Sequence, residues 1–200
     1  MRSSWTEIKH ITISIVVLAF AFTLIFVQRW SISNIIQKFP LMLFLVVLSF
    51  LFHELAHKFT AQRFGCWAEF RKWDLGLLLA LVLVIVTGGN LLFAAPGAVV
   101  IYSEWLSIRE NGLISLSGPL TNIILMVLFI IVGLAFPILK YTHGELIFYG
   151  AYINGILAWF NLFPVWQLDG TDIFYWNKMI WIFLFGFSFL FVFIFIPLLF

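Results

Sequence analysis

Residues 40–59 read Pro-Leu-Met-Leu-Phe-Leu-Val-Val-Leu-Ser-Phe-Leu-Phe-His-Glu-Leu-Ala-His-Lys-Phe, and this stretch decides the fold. From Pro40 to Phe52 the only polar side chain is Ser49. A helix of about 20 such residues crosses a bilayer, and a proline at its start sits where the first turn tolerates one. The same stretch then turns ionisable at His53, Glu54 and His57, in the pattern H-E-x-x-H. Residues four apart share one helix face. Two imidazoles so placed can grip one Zn²⁺, and the glutamate between them can act on the water that the ion activates. Each charged group at the centre of a bilayer costs roughly 2.5–3.5 kcal/mol on insertion scales, which makes such residues functional by default. Histidines hydrogen-bonded between helices, with no metal, are the alternative.

The rest of the chain agrees that lipid is the solvent. Of 200 residues, 64% are hydrophobic and 10% charged, against about a quarter charged in soluble domains, and the mean hydropathy is +1.11. An all-α polytopic membrane protein follows, one unit over residues 1–200. About six spans are expected, at 11–27, 40–59, 75–87, 113–139, 146–163 and 179–200. Gly88, Gly89, Asn90, Pro96 and Gly97 interrupt the middle of the chain. A re-entrant segment is therefore expected near residues 90–103, with Ala98–Tyr102 reading as a short strand. Lys58–Asp74 reads as a polar loop. The single cysteine, Cys66, excludes an internal disulfide. A net charge of +2 gives no reason to expect nucleic acid as a partner. The first apolar stretch is long enough to stay as an anchor, so no cleaved signal is expected. Basic residues orient the chain: Arg2, Lys9, Lys58, Arg63, Arg71 and Lys72 stand against Arg29 and Lys38. This predicts a cytoplasmic amino terminus in the cell membrane, with the histidines nearer the cytoplasmic face.

A catalytic zinc takes three protein ligands and keeps one position open. Cys66, Glu69, Asp74, Glu104, Glu110, His143, Glu145, Asp169 and Asp172 are the candidates for the third. Asp169 stands apart because Asn161-Leu-Phe-Pro-Val-Trp-Gln-Leu-Asp-Gly170 surrounds it with apolar residues, a proline and a glycine. A carboxylate there needs a cation beside it, unless it belongs to an Asp-Gly turn at the membrane surface.

Three motifs taken in order resemble the site-2 protease family of intramembrane zinc metalloproteases. They are His53-Glu54-Leu55-Ala56-His57, Gly118-Pro119-Leu120-Thr121-Asn122, and Asn161 to Gly170 ending in Leu-Asp-Gly. The resemblance implies one zinc per chain, held by His53, His57 and Asp169, with Glu54 as the catalytic base. It implies Asn122 lining the site or steadying a substrate or oxyanion, and Asn161 bracing the turn before Asp169. It implies an endopeptidase acting on transmembrane segments of membrane proteins within the lipid bilayer, without PDZ or nucleotide-sensing domains. Trp166, Gln167 and Thr171 depart from the family's usual residues around Leu-Asp-Gly. A helical substrate would have to unwind, and a strand edge at 98–102 would give its freed backbone partners. A membrane metal transporter would also place histidines and carboxylates in spans. A prenylated-protein-type metalloprotease would share H-E-x-x-H but take Glu104, Glu110 or Glu145 as third ligand.

Overall fold

The computed structural model describes residues 3–27, 29–93, 95–103 and 105–199, except the side chains of Pro137, Lys140 and Tyr141. Arg2 and Glu104 lie outside them. Helix α1 spans Trp5–Phe26, and the Ser4 hydroxyl accepts from Glu7 N at its start. Helix α2 runs from Ile32 to Arg63 with a wide π turn at Val47–Leu51. Strand β1 (Trp67–Lys72), helix α3 (Asp74–Val86) and strand β2 (Gly97–Tyr102) follow. Helices α4 (Ile108–Ala135), α5 (Pro137–Asn161) and α6 (Asp169–Trp176) lead to α7 (Lys178–Leu199). A capping box between Ser107 and Glu110 starts α4, and Asn177 Oδ1 accepts from Met179 N and Ile180 N at the start of α7.

Among the described residues four helices, α1, α2, α4 and α7, have the length and apolar composition to cross a membrane, and α3 is a shorter apolar helix. The molecule is thus a mostly helical membrane protein with one small sheet. Its exterior carries large apolar side chains such as Phe44, Leu128, Phe183 and Leu198, while Ser14, Thr23, Ser49, Asn122, Asn154 and Ser188 are buried. That inversion suits lipid, where polar groups must find partners inside the protein. Thr23 and Ser49 do so by donating to the carbonyls of Ala19 and Leu45. Helix α4 packs against α2, α5 and α6, and α1 packs against α2, α3 and β1.

Three local features differ from the sequence reading. Helix α2 begins at Ile32, behind a Ser31 cap, so Pro40 lies inside the helix and not in its first turn. The segment 58–74 is no plain loop. Residues 58–63 continue α2, and β1 pairs antiparallel with β2 from Trp67↔Tyr102 to Lys72↔Gly97. The pairing is tight at its end, because a Cβ on Gly97 would overlap Arg71 O and lie 2.8 Å from Lys72 Cα. Finally, Lys58 is not a solvated loop cation. It is buried, bonded to Glu7 of α1 and donating to Ser3 Oγ at 3.0 Å.

Glu7 ties three elements together, since its other oxygen accepts from Phe70 N of β1 at 3.1 Å. His10 Nδ1 accepts from Lys72 N at 3.4 Å further along the same edge. The outer edge of β1 is therefore closed by α1, which leaves β2 to present the other edge.

Removing one member of a buried ion pair leaves an uncompensated charge and costs about 3–5 kcal/mol. Lys58→Met should lower the unfolding temperature of the purified protein in detergent markedly, and adding Glu7→Gln should restore most of the loss. A single variant as stable as wild type would contradict the linking role given to this pair.

Candidate metal centre

The π turn in α2 ends two residues before His53, and π turns recur at functional sites. One turn apart on α2, His53 and His57 face α4 and bring their Nε2 atoms to 3.0 Å from each other. Gly118 of α4 makes this possible. A Cβ there would overlap His57 Nε2 and lie 2.7 Å from His53 Cε1. Four residues on, Asn122 contacts His53 Nδ1 through Oδ1 at 2.6 Å. The motif Gly118–Asn122 is thus one helical turn that admits both rings and holds one of them.

Hydrogen-bond orientation fixes the ring states from backbone carbonyls inward. Asn154 Nδ2 donates to Gly150 O at 2.8 Å, so its Oδ1 accepts from Asn122 Nδ2 at 2.9 Å. Asn122 Nδ2 also donates to Ser49 O at 3.0 Å. Its Oδ1 is therefore the atom facing His53, which must donate from Nδ1. His57 Nδ1 likewise donates to Ile114 O at 2.8 Å. Both neutral rings then turn an Nε2 lone pair toward the same point. Partners of this kind on the remote nitrogen orient metal-binding histidines and raise their basicity.

Asp169 arrives as the first residue of α6, after the turn that follows α5. Gly170 lets α6 close onto that turn, since a Cβ there would overlap Leu162 O. Asp169 Oδ2 lies 3.3 Å from each Nε2. It is buried and has no hydrogen-bond partner among the described residues. The three donor atoms form a triangle with edges of 3.0, 3.3 and 3.3 Å. A tetrahedral ion bonded at about 2.0–2.1 Å spaces its ligands about 3.3 Å apart. Two lone pairs and a carboxylate oxygen this close repel one another unless a cation stands between them, so the donor set fits zinc in number, type and spacing.

Glu54 lies beside this point, also buried, with Oε2 lacking a hydrogen-bond partner among the described residues. His53, Glu54, His57 and Asp169 line a cleft of ≈ 400 Å³ whose further walls include Gly97–Ile101 of β2, Asn161 and Asp172. The unclosed edge of β2 therefore borders the metal-binding face.

The remaining third-ligand candidates are engaged elsewhere. Cys66 is buried among Ala61, Ala68 and Ile114. Glu69 pairs with Arg71 and Asp74 with Lys72. Glu110 closes its capping box, Glu145 pairs with Lys38 at 2.6 Å, and His143 contacts Thr142 Oγ1. Asp172 accepts from Ser115 Oγ at 2.9 Å and not from Lys178, which lies over the Phe174 ring. Glu104 is outside the described residues. Within them, His53, His57 and Asp169 are the group that converges.

Asn122, which the resemblance places at the site, meets His53 from the side away from the other donors. It is fully buried, and both amide hydrogens already have acceptors, so it offers a substrate no donor; it stands behind His53. Asn161 does border the cleft, donating from Nδ2 to Leu157 O at 2.9 Å. Asn154 went unnoticed in the sequence, although an asparagine inside the apolar run 146–163 is the kind of residue that marks an interhelical contact.

The chain is 40% identical over 185 residues to a Methanocaldococcus jannaschii protein named “putative zinc metalloprotease”, covering 90% of this chain and 89% of that one. A Mycolicibacterium smegmatis protein with the same designation, Rip2, is 31% identical over 137 residues, which is 62% of this chain and 52% of that one. No family model and no solved structure matches the chain. With this extent of likeness and its three motifs, the chain belongs to the zinc metalloprotease family of site-2 protease type.

Loss of a partner on the remote nitrogen of a ligand histidine typically lowers metal affinity about 10–100-fold. Asn122→Ala should weaken zinc binding by that order in competition with a fluorescent chelator. Gly118→Ala should weaken it too, by displacing both rings. Zinc affinity unchanged in both variants would separate α4 from the metal site.

Proposed function

We propose that this protein is a zinc endopeptidase that cleaves transmembrane segments of other membrane proteins within or beside the bilayer. The observation that carries the reading is the convergence of His53, His57 and Asp169 next to Glu54, whose Oε2 has no hydrogen-bond partner among the described residues, in a cleft bordered by β2. His53, His57 and Asp169 are the residues to hold zinc, one ion per chain. Bound there, zinc supplies Lewis-acid activation of water and of a carbonyl.

The protein's own groups supply the rest. Glu54 Oε2 is free to accept a proton from water and to return it to the leaving amine. Asn122 and Ile114 O keep the Nδ1 protons of both rings directed away from the cleft. An unwound substrate segment laid along β2 would exchange its lost helical hydrogen bonds for strand bonds. This matters at membrane depth, where each unmet backbone group costs several kcal/mol.

The same reading assigns the protein to a cell membrane, with the amino terminus and the site toward the cytoplasm. Lys9, Arg63, Arg71 and Lys72 lie on the side of α1 and α2 that carries the site, and Arg29 and Lys38 on the other. A membrane protein with a transmembrane helix is the partner, and nucleic acid has no place in this account.

The direct test incubates the purified protein with synthetic transmembrane peptides. Wild type should cleave and stop on chelation. Glu54→Gln should keep its zinc and lose cleavage by a factor of at least about 10². Cleavage that survives both treatments sinks the metalloprotease mechanism. A second test addresses the strand edge. N–H groups of neighbouring residues on β2 alternate between the partner strand and the free edge. Of Val99→Pro and Val100→Pro, the one that removes a free-edge N–H should impair cleavage while zinc binding persists. Full activity in both variants would remove strand pairing from the mechanism.

A further inference from the structure

Beside the metal cleft, a second hollow of ≈ 230 Å³ opens between β2 and the turn before Asp169, with Trp73 and Trp166 as its aromatic walls. It adjoins the cleft, since Gly97, Ala98 and Val100 border both. Trp166 is unusual on two counts. Its φ is 56°, in the left-handed region that a bulky residue rarely holds. Its ring is also left 59% exposed, so burial does not explain the conformation. A glycine would make the same turn without strain; what tryptophan adds at this position is the ring. Strain of this kind clusters where structure serves a ligand.

The ring is held in place. Trp166 stands edge-on to Trp73 with centroids 4.4 Å apart, Trp73 meets Phe93 at 6.1 Å, and Phe93 meets Phe160 at 5.4 Å. This row of rings reaches α5 at Phe160, one residue before Asn161. The cations at the rim, Arg71 and Lys72, are paired with Glu69 and Asp74. The hollow therefore offers aromatic faces and no uncompensated charge. Ala98 and Val100 point to one face of β2, so a strand lying along β2 would aim alternate side chains to that side.

We propose that the Trp73–Trp166 hollow is the specificity pocket of the proteolytic site, receiving one bulky apolar side chain, of leucine or phenylalanine size, that flanks the scissile bond of the substrate. The inference rests on the proteolytic reading above and adds the substrate feature that the site selects. The hollow lies against β2, on the side of Ala98 and Val100.

The test uses synthetic transmembrane peptides, with the cleaved bond found by mass spectrometry and each flanking position then varied among Ala, Leu, Phe, Asp and Lys. At one position Leu or Phe should exceed Ala in kcat/KM by at least about tenfold. Trp166→Gly, which suits the left-handed backbone, and Trp73→Ala should each reduce that ratio to below about threefold, with zinc content as in wild type. Selectivity that survives Trp166→Gly in zinc-loaded protein, or no flanking position that prefers bulk, overturns the pocket. Binding of the same peptides to Glu54→Gln separates the two readings. If wild type hydrolyses nothing, yet Glu54→Gln binds the Leu and Phe peptides about tenfold tighter than Ala through Trp166, the pocket stands and the proteolytic reading fails. Equal binding of all the peptides overturns the pocket itself.

Discussion

Two imidazole lone pairs and a carboxylate oxygen held within 3.3 Å of one another, inside an apolar helical bundle, constrain everything else in this molecule. Such an arrangement is repulsive without a cation, and lipid offers no water to soften it. The surrounding structure has to impose it. Gly118 removes the side chain that would occupy the space, Gly170 lets α6 approach the end of α5, and the Asn122–Asn154 pair fixes one ring from behind. None of these residues touches the common point, yet each is needed for the three donors to reach it.

The same economy governs the polar groups behind and beyond the metal site. The side chains of Asn154 and Asn122 form a chain that begins on Gly150 O of α5 and ends on Ser49 O of α2, so that it joins three helices. Glu7 and Lys58 do the equivalent at the end of α2, joining α1, α2 and β1. Buried polar networks are costly if any member lacks a partner, and rigid when all are met. Here they fasten the stretch of α2 that carries H-E-x-x-H at both ends: at the π turn through Ser49 and just past His57 through Lys58. The histidines thus sit on a segment with little freedom to rotate, as a metal site requires.

What the sequence disclosed, and what it hid, follow from the range of the forces involved. Apolar runs and the H-E-x-x-H spacing are local signals, and α1, α2, α4 and α7 are visible as runs of the right length. The strand at Gly97–Tyr102 was legible from its β-branched residues. Its partner β1 was not, because Glu69, Arg71 and Lys72 resemble a loop until Glu69 pairs with Arg71 and Glu7 meets the backbone of Phe70. Lys58 misled for the same reason: a lysine after a span looks solvated until its partner, 51 residues away, is known. Asp169 could be singled out by its apolar setting, but residue types alone left it balanced against a surface turn; family resemblance favoured it, and the fold brings it to the histidines. Asn122 stands out in the sequence, but its commitment to Ser49 and Asn154 exists only in three dimensions.

The two edges of the small sheet show how position converts a structural element into a functional one. On β1 the amides of Phe70 and Lys72 are met by Glu7 and His10, so that edge is closed by α1. Among the described residues the edge of β2 has no such cover, and β2 runs along the cleft that holds Glu54 and the three donors. An unpaired strand edge is a hazard in any protein, and natural folds cover such edges or make them short. In a membrane protein the pressure to cover it is greater, because no water satisfies its amides in the hydrocarbon. A sheet closed at one edge by a dedicated glutamate and left open at the other beside the candidate metal site is what the proposed function needs, since under that reading an incoming extended chain would supply the hydrogen bonds the open edge lacks.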